Sequence, residues 1–429
     1  SSFLVVWWLL LFRAVQNCLL LMPVRSSERV LVLDGDSQAS LSVLSSLGRR
    51  GVPLDVGATE RGSLGAHSRY TDAELVYPDP ATEPTAFVDV LAAALEDRDY
   101  FAVMPTRDDT TTVVSRHKPR IEATGTTAGV EDWERFSRVA DKARTADFAA
   151  ALSVPMPATW APDSVDAVEA IADDVPYPAL VKPRSKHVAD DDGRLYTHEV
   201  ADADYARSPA ELVSTYERLA EADDGMQASP PLVQEVIDGE TVTTVGVADD
   251  GELLAPFQEL RLRTTPASGG SSTLVQGIND ERMLESAREL VAELGWTGPL
   301  QVEFMRTDEA CYLIEINGRY WGSLPLATAA GVDLPWLHLG VLSGERPTVD
   351  DRVRDGVLHQ RLLYGDLKWL AEQFADGQPQ ALLPFLLALV TAEQPSIRPD
   401  DPGTTIAAFR QAAGVGARAA TSALRGRFE

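Results

Sequence analysis

Three oxygen-bearing side chains lie at strand spacing in the second half of the chain: Glu303, Glu315 and Asn317. The segments 298–305 and 313–322 predict two strands joined by a short polar turn, and side chains two apart on a strand share a face. The polar groups can therefore converge on one face while the aliphatic residues between them enter a core. Two carboxylates and an amide oxygen are hard ligands, suited to Mg²⁺ that also holds substrate phosphates.

Arg319 follows two positions after Asn317, in what we expect to be the same register, and it can neutralise a transferring phosphoryl group. The alternative for this hairpin is a pair of solvated strands with ordinary surface acids, because short motifs have high false-positive rates. The other charged residues of the chain are needed to distinguish a metal-binding hairpin from an ordinary solvated one.

Lysine is scarce in this sequence, so each one is informative. The chain has five, which are Lys118, Lys142, Lys182, Lys186 and Lys368. Lys142 opens a predicted helix. Lys182 lies inside the apolar segment 176–183, which predicts a strand, and a charge there needs a partner. The alternative is a structural lysine that snorkels to solvent. Lys186 lies in a predicted flap over 184–198, where an exposed loop is the default interpretation.

The composition is that of a globular, strongly acidic protein with room for two to four domains. The 429 residues are 45% hydrophobic and 24% charged, with a net charge of −27. Such a surface resembles that of halophilic archaeal proteins, and it argues against non-specific nucleic-acid binding, which needs a basic patch. The two cysteines and six histidines show no metal-ligand spacing. We therefore expect no disulfide framework, no zinc site and a cytoplasmic location.

An apolar tail occupies residues 1–28. Residues 3–12 are wholly apolar, but polar residues interrupt the run before it resumes. The tail lacks the basic leader and the clear cleavage site of a signal peptide. We expect the native chain to begin at Met22, with residues 1–21 coming from an over-extended start; the alternative is a membrane anchor. A membrane contact is expected only if residues 1–21 are native.

Alternating strand and helix patterns over residues 29–118 predict a parallel, doubly wound sheet. The loops 34–37 and 105–110 follow predicted strands, at the edge where such sheets bind ligands. The sequence lacks a GxGxxG motif here, so we do not expect a dinucleotide site. For Arg107 and the acids beside it, simple loop polarity and a role in a substrate site are both open.

Residues 119–345 combine helices with antiparallel strands, so the fold class is α/β followed by α+β. A hairpin is predicted with its turn at 249–251, and a helix over 281–294 ends at Gly295. Arg261 and Arg263 precede the loop 268–272, whose Gly and Ser residues can offer backbone N–H groups to an anion. Residues 346–429 predict helices, including a packed apolar helix at 380–391, and indicate no chemistry.

Taken in order, these motifs resemble the ATP-grasp superfamily, in particular its carboxylate–amine ligases. The resemblance covers about residues 29–345. It rests on the helix-start lysine, the strand lysine, a linker and the acidic hairpin, which are Lys142, Lys182, Gln234-Glu235 to Gly239-Glu240, and Glu303 to Glu315-x-Asn317-x-Arg319. It implies a parallel-sheet pre-ATP-grasp domain over 29–118, an ATP-grasp domain over 119–345 with a smaller lid at about 176–240, and a helical C-terminal segment over 346–429.

The resemblance also implies roles for individual residues. Contacts to ATP would come from the lysines and the linker: Lys142, Lys182, Lys186, Gln234, Glu235, Val236, Ile237 and Glu240. Mg²⁺ (or Mn²⁺) would be held by Glu303, Glu315 and Asn317. Arg319, and by a weaker match Arg261, would take part in the acyl-phosphate chemistry. The flap departs from the family pattern, since residues 184–194 hold one glycine and several acids where glycines are usual.

The implied reaction is an ATP- and Mg²⁺-dependent ligation of a small-molecule carboxylate to an amine or other nucleophile. Phosphorylation would make the carboxylate electrophilic as an acyl phosphate, and this step needs charge neutralisation more than a protein nucleophile. The alternatives are a carboxylase or carbamoyl-phosphate-type enzyme, and a non-catalytic ATP-binding sensor. A homodimer is compatible with all of them.

Overall fold

The computed structural model describes residues 28–189, 193–266, 270–346 and 354–425. Three sets of expectations lie outside these residues: those for the tail 1–21, for the flap tip 190–192, and for positions 268–269 of the anion loop. Within the described ranges, none of the helices is both long and apolar enough to cross a membrane.

The first sheet is the parallel sheet that the sequence predicts. Its strands are β1 (Arg29–Val32), β2 (Leu54–Ala58), β3 (Thr71–Val76), β4 (Tyr100–Met104) and β5 (Thr127–Ala128), in the order β3-β2-β1-β4-β5. Four helices lie between them: α1 (Gln38–Gly48), α2 (Pro84–Asp97), α3 (Asp108–Arg116) and α4 (Lys118–Glu122). Because α3 begins shortly after β4, Asp108 stands at the carboxyl edge of the sheet.

A smaller antiparallel sheet carries the strand lysine. After α5 (Trp133–Ala140) and α6 (Lys142–Ala151) come β6 (Thr159–Trp160), β7 (Ala179–Lys182), β8 (His187–Ala189), β9 (Leu195–Thr197), β10 (Tyr205–Ala206) and β11 (Leu232–Glu235). The sheet order is β10-β7-β11-β6, while β8 and β9 pair with each other as the predicted flap. Three helices accompany this sheet: α7 (Val165–Ile171), α8 (Pro209–Ala220) and α9 (Asp224–Ala228).

The third sheet is antiparallel and contains the acidic hairpin. Its strands are β12 (Glu240–Asp249), β13 (Glu252–Thr265), β14 (Ser271–Ile278), β15 (Gly298–Arg306), β16 (Cys311–Asn317) and β17 (Leu358–Gln360), in the order β16-β15-β12-β13-β14-β17. Helix α10 (Glu281–Leu294) covers one face, and Gly295 ends it at a left-handed φ of 58°.

The register of this sheet places three acids in one row. Thr243 on β12 lies opposite Glu259 on one side and Glu303 on the other, and Glu303 lies opposite Glu315. Directly opposed residues point to the same face, and neighbouring strands are about 4.8 Å apart. The two hairpin acids are therefore adjacent, as predicted, and Glu259 lies about 10 Å further along the same row.

The C-terminal part departs from the expectations at three points. It contains helices α11 (Leu324–Ala330), α12 (Leu334–Leu342), α13 (Asp366–Ala375), α14 (Leu382–Thr391) and α15 (Pro402–Arg425). The segment expected to be helical also supplies strand β17, which is too short to show a periodic pattern. The predicted strand 313–322 ends at Asn317, so Arg319 is not in its register. The apolar helix α14 is not fully packed, since Leu383 is 75% exposed. The domain boundaries stay predictions.

A buried ion pair ties this C-terminal part to the third sheet. The Asp366 carboxylate, at the start of α13, is fully buried and accepts hydrogen bonds from Arg263 at 2.9 Å, Thr273 at 2.7 Å and Gln360 at 2.5 Å. Arg263 also stacks on Trp369 with its guanidinium carbon 4.2 Å from the ring centre. Helix α13 is thereby fixed to the strand that carries Arg261.

We expect Asp366→Ala to lower the free energy of unfolding by about 3–5 kcal/mol, because it leaves a buried arginine without its carboxylate. The measurement is chemical denaturation followed by circular dichroism. As the control, Asp89→Ala removes an exposed pair with Arg120, and its cost should stay below about 1 kcal/mol. Equal effects of the two substitutions would contradict the importance of the buried pair.

Candidate active site

Each of the two hairpin acids is held by a cation from another element. Arg261, on β13, donates to the Glu303 carboxylate. The Lys142 ammonium lies 3.3 Å from a Glu315 oxygen. Lys142 is placed by the start of α6, where the Asp141 side chain accepts the backbone N–H of Ala143 at 2.9 Å and so caps the helix. The predicted helix-start lysine and the acidic hairpin therefore meet in space.

The two acids differ in their electrostatics although they lie side by side. Burial raises the pKa of Glu303, and the neighbouring Glu315 charge adds to this although Arg261 opposes it. Burial also disfavours the charge of Glu315, but Lys142 and the Asn317 amide outweigh it and lower the pKa of Glu315 to about 2. Glu315 is therefore held as a carboxylate at any pH near neutrality.

The strand lysine has an amide as its partner rather than an acid. Lys182 is 6% exposed, and its ammonium donates to the Gln234 side-chain oxygen at 2.6 Å on the neighbouring strand β11. The Gln234 side-chain N–H donates in turn to Thr159 at 2.9 Å. Burial, and then the nearby positive charge of Lys142, lower the pKa of Lys182 to about 7. The predicted need for a partner is thus only half met, because the buried charge is not neutralised by a directly bonded acid.

The guanidinium of Arg319 donates hydrogen bonds to three different residues. Its guanidinium donates to the Asn317 side-chain oxygen at 3.3 Å, to the Tyr320 carbonyl at 2.8 Å, and to one Asp108 oxygen at 2.6 Å. The other Asp108 oxygen accepts from Lys186 of the flap at 2.6 Å. These two cations hold the pKa of Asp108 well below its usual range in spite of its burial.

Asp108 therefore joins three layers: the first sheet, the flap and the hairpin. In the sequence it is one of the loop acids beside Arg107, for which loop polarity and a substrate-site role are both open. Nothing in the local pattern distinguishes Asp108 from Asp109, because its importance comes from a partner 211 positions away.

Glu259 is the second residue that the sequence did not single out. It is 2% exposed, and it accepts from the Ser323 hydroxyl at 2.5 Å and from the Trp321 indole at 3.4 Å. Burial raises its pKa to about 7. Glu259 thus anchors the loop that follows Arg319, and its acid type on an apolar strand was the signal that could have found it.

The linker residues lie at the far end of the hairpin rather than among the acids. Val236, Ile237 and Glu240 line a groove of about 920 Å³ together with Arg306 and Tyr312. Glu240 is opposite Arg306 in the sheet, three residues beyond Glu303, which is about 10 Å along the strand. Glu240 pairs with Arg306 at 2.8 Å.

Glu235 is also at this end of the site, and it accepts the backbone N–H of Ala158 at 3.1 Å. The predicted residues therefore form two groups, one around the hairpin acids and one that lines the groove. An elongated ligand could reach both groups.

The oxygen atoms of the hairpin fit a divalent cation that is shared with a ligand. Within the described residues, no group of three or more His, Cys, Asp or Glu side chains is arranged as a metal site. Glu303, Glu315 and Asn317 nevertheless each direct an oxygen at a positive group. Two carboxylates and an amide are the partial ligand set with which Mg²⁺ is bound when phosphates complete its shell.

Comparison with known proteins points to one fold family. Residues 227–361 match the family model described as "ATP-grasp in the biosynthetic pathway with Ter operon". The carbamoyl phosphate synthase large chain of Campylobacter jejuni is 27% identical over 224 residues, which cover 49% of this chain and 18% of that protein. This chain spans less than a fifth of the length of the curated relatives that it matches.

Several solved structures are similar in fold to this protein over most of its chain. The biotin carboxylase domain of Hydrogenobacter thermophilus 2-oxoglutarate carboxylase, solved with MgADP and bicarbonate, has a TM-score of 0.58 at 16% identity, covering 77% of this chain and 73% of that one. The L-amino acid ligase of Bacillus licheniformis has a TM-score of 0.57 at 13% identity, covering 77% and 78%. This chain therefore shares the fold of these enzymes, and its residues 227–361 match an ATP-grasp model.

Proposed function

We propose that this protein is an ATP- and Mg²⁺-dependent ligase that activates a carboxylate as an acyl phosphate for attack by an amine or another nucleophile. The observation that carries the proposal is the single cluster formed by Lys142, Glu303, Glu315, Asn317 and Arg319. The cluster combines metal-ligand oxygens with the cations that phosphoryl transfer requires.

The two ends of the site would bind different parts of ATP. The groove beside Glu240 would take the base and ribose, since Val236, Ile237 and Tyr312 give it an apolar surface among many polar groups. Lys142, Lys182 and Lys186 would hold the phosphates about one nucleotide length away. Glu303, Glu315 and Asn317 would hold Mg²⁺, which supplies charge neutralisation between the phosphates when bound.

The chemical steps would take place near Arg319 and Arg261. A carboxylate oxygen attacks the terminal phosphorus of ATP, the bond to ADP breaks, and Arg319 balances the charge on the transferring group. The nucleophile then attacks the carbonyl carbon, phosphate leaves, and the nucleophile loses a proton. Glu259 holds the loop 320–323 and so fixes the approach of Arg319.

A second candidate is a carbamoyl-phosphate-type or carboxylase reaction. The curated relatives include several carbamoyl phosphate synthase large chains, and the same residues could phosphorylate bicarbonate in place of an organic acid. Bicarbonate-dependent release of ADP without an added organic acid would favour this candidate. Binding of ATP with no ADP release from any combination of acid and nucleophile would favour a sensor.

A screen of carboxylates and amines for Mg²⁺-dependent ADP release, in concentrated KCl, tests the proposal directly. With an active pair in hand, Glu315→Gln should reduce turnover by roughly 1,000-fold, which is about 4 kcal/mol in the barrier, because an amide is a weaker metal ligand than a carboxylate. Glu289→Gln, on the exposed face of α10, is the control and should keep full activity. Full activity of Glu315→Gln with unchanged folding would reject the metal assignment.

Nucleotide binding should take up a proton through Lys182. With a pKa of about 7 this lysine is mostly neutral at pH 8, and the charge of the phosphates favours its protonated form, so affinity should fall as the pH rises above 7. Calorimetry of MgADP binding at pH 8 in HEPES and in Tris should show uptake of about one proton.

The uptake should disappear in Lys182→Met and persist in Lys118→Met, which alters a lysine paired with Asp132. Identical heats in the two buffers for the unmodified protein would show that Lys182 does not change its charge on binding.

Asp108 should compete with the phosphates for Arg319 and Lys186. We expect Asp108→Asn to bind a non-hydrolysable ATP analogue about ten-fold more tightly, since it removes a negative charge and releases two cations. Isothermal calorimetry measures the change. Asp72→Asn, an exposed acid of the first sheet, should leave the affinity unchanged. Weaker binding by Asp108→Asn would mean that this acid holds the site together instead.

A further inference from the structure

Helix α14 presents an apolar stripe to solvent. Its inner face is packed, with Phe385 at 5% and Ala388 at 4% exposure. Its outer face carries four aliphatic side chains at the spacing i, i+3, i+4, i+7, which are Leu383 (75% exposed), Leu386 (47%), Leu387 (59%) and Val390 (80%). Residues with this spacing lie along one side of a helix and form a contact seam. Single exposed leucines are ordinary, whereas a contiguous stripe marks an interaction site.

The surroundings of the stripe restrict what can cover it. Residues 381–392 contain no ionisable side chain, in a chain with a net charge of −27. Residues 369–397 contain no Lys, Arg or His. A helix that lies on a lipid surface normally carries basic residues on its polar face to attract anionic headgroups, and nucleic acids need a basic patch. This helix has neither feature.

We infer that α14 is a homodimer interface, in which it packs antiparallel against α14 of a second copy about a two-fold axis. The stripe is symmetric under reversal: turning it end to end about its midpoint exchanges Leu383 with Val390 and Leu386 with Leu387. An isologous interface requires such self-complementarity. Each copy then covers the stripe of the other with side chains of matching size.

Charge also favours a second copy that meets through this helix. Two chains that each carry a net charge of −27 repel one another over most of their surfaces. An uncharged face lets them approach without placing like charges in contact. In concentrated salt, the repulsion is screened and apolar contacts are strengthened, so both effects act in favour of the pairing.

The interface is firmly attached to the protein. Helix α13 precedes α14 by a short connection and is fixed to β13 by Arg263 and Asp366. The pairing of α14 does not involve the residues of the candidate active site, so it does not depend on the proposed function.

The first test is the oligomeric state. Analytical ultracentrifugation of the full chain, in concentrated KCl and at low salt, should show a dimer that is weaker at low salt. The double variant Leu387→Glu, Val390→Glu should raise the dimer dissociation constant by roughly 100-fold or more, because it would bury carboxylates without partners. Val76→Glu, an exposed position on β3 (38%), is the matched control and should remain dimeric.

Three outcomes would overturn the inference: an unmodified chain that is monomeric in both salts, a double variant that stays dimeric, or a monomer that binds vesicles of anionic or neutral lipid through this helix. Circular dichroism of each variant shows whether it has folded. Calorimetry with MgADP reports separately on the proposed function, so failure of one does not hide failure of the other.

The second test is the geometry of the pairing. In an antiparallel pair the two copies of residue 386 face each other near the axis, whereas the two copies of residue 390 are about 10 Å apart along the helices. In a Cys18→Ser background, mild oxidation should therefore cross-link Leu386→Cys between copies and leave Val390→Cys uncross-linked. The remaining Cys311 is buried. Cross-linking of both variants to the same extent would contradict the antiparallel arrangement.

Discussion

The structure of the site depends on two carboxylates, Glu303 and Glu315, that face each other on neighbouring strands. Their mutual repulsion is increased by burial, because little water is left to screen it. The fold compensates with two cations that come from different directions, Arg261 from the same sheet and Lys142 from a helix start. Lys142 keeps Glu315 ionised, whereas burial raises the pKa of Glu303 in spite of Arg261. The strand register therefore determines where Arg261 and Lys142 must lie.

The other positive groups of the site come from separate parts of the fold. Lys182 is on the small sheet, Lys186 is on the flap, and Arg319 follows the hairpin. Asp108, at the start of α3 beside the first sheet, connects Lys186 and Arg319 through its two oxygens. If the proposed anionic ligand binds these cations, it would compete with Asp108 for Lys186 and Arg319. Under the proposed function, the charge of this one carboxylate would link ligand binding to the contacts of the flap.

Local sequence patterns predicted most of the helices and strands. They did not predict charge pairs between residues that are far apart in the sequence. Alternating side chains located the hairpin acids, while apolar runs located the strands of the parallel sheet and the strand of Lys182, because these signals need only a few consecutive residues. The role of Asp108 was not predictable, since its partner is 211 positions away. Arg319 was assigned to the wrong element because a strand end depends on neighbouring strands. The exposure of α14 was missed because an apolar run shows which residues avoid water and does not show what covers them.

The scarcity of lysine gives a further reason for the arrangement. Three of the five lysines, Lys142, Lys182 and Lys186, are in the candidate active site, while arginine supplies nearly all other positive charge. Arginine remains charged wherever it is placed, whereas burial readily changes the charge of a lysine. If the site holds phosphates as proposed, Lys182 would be a cation whose charge responds to the ligand, because burial lowers its pKa to about 7. The surface needs no such response, and there the sequence uses arginine and an excess of acids.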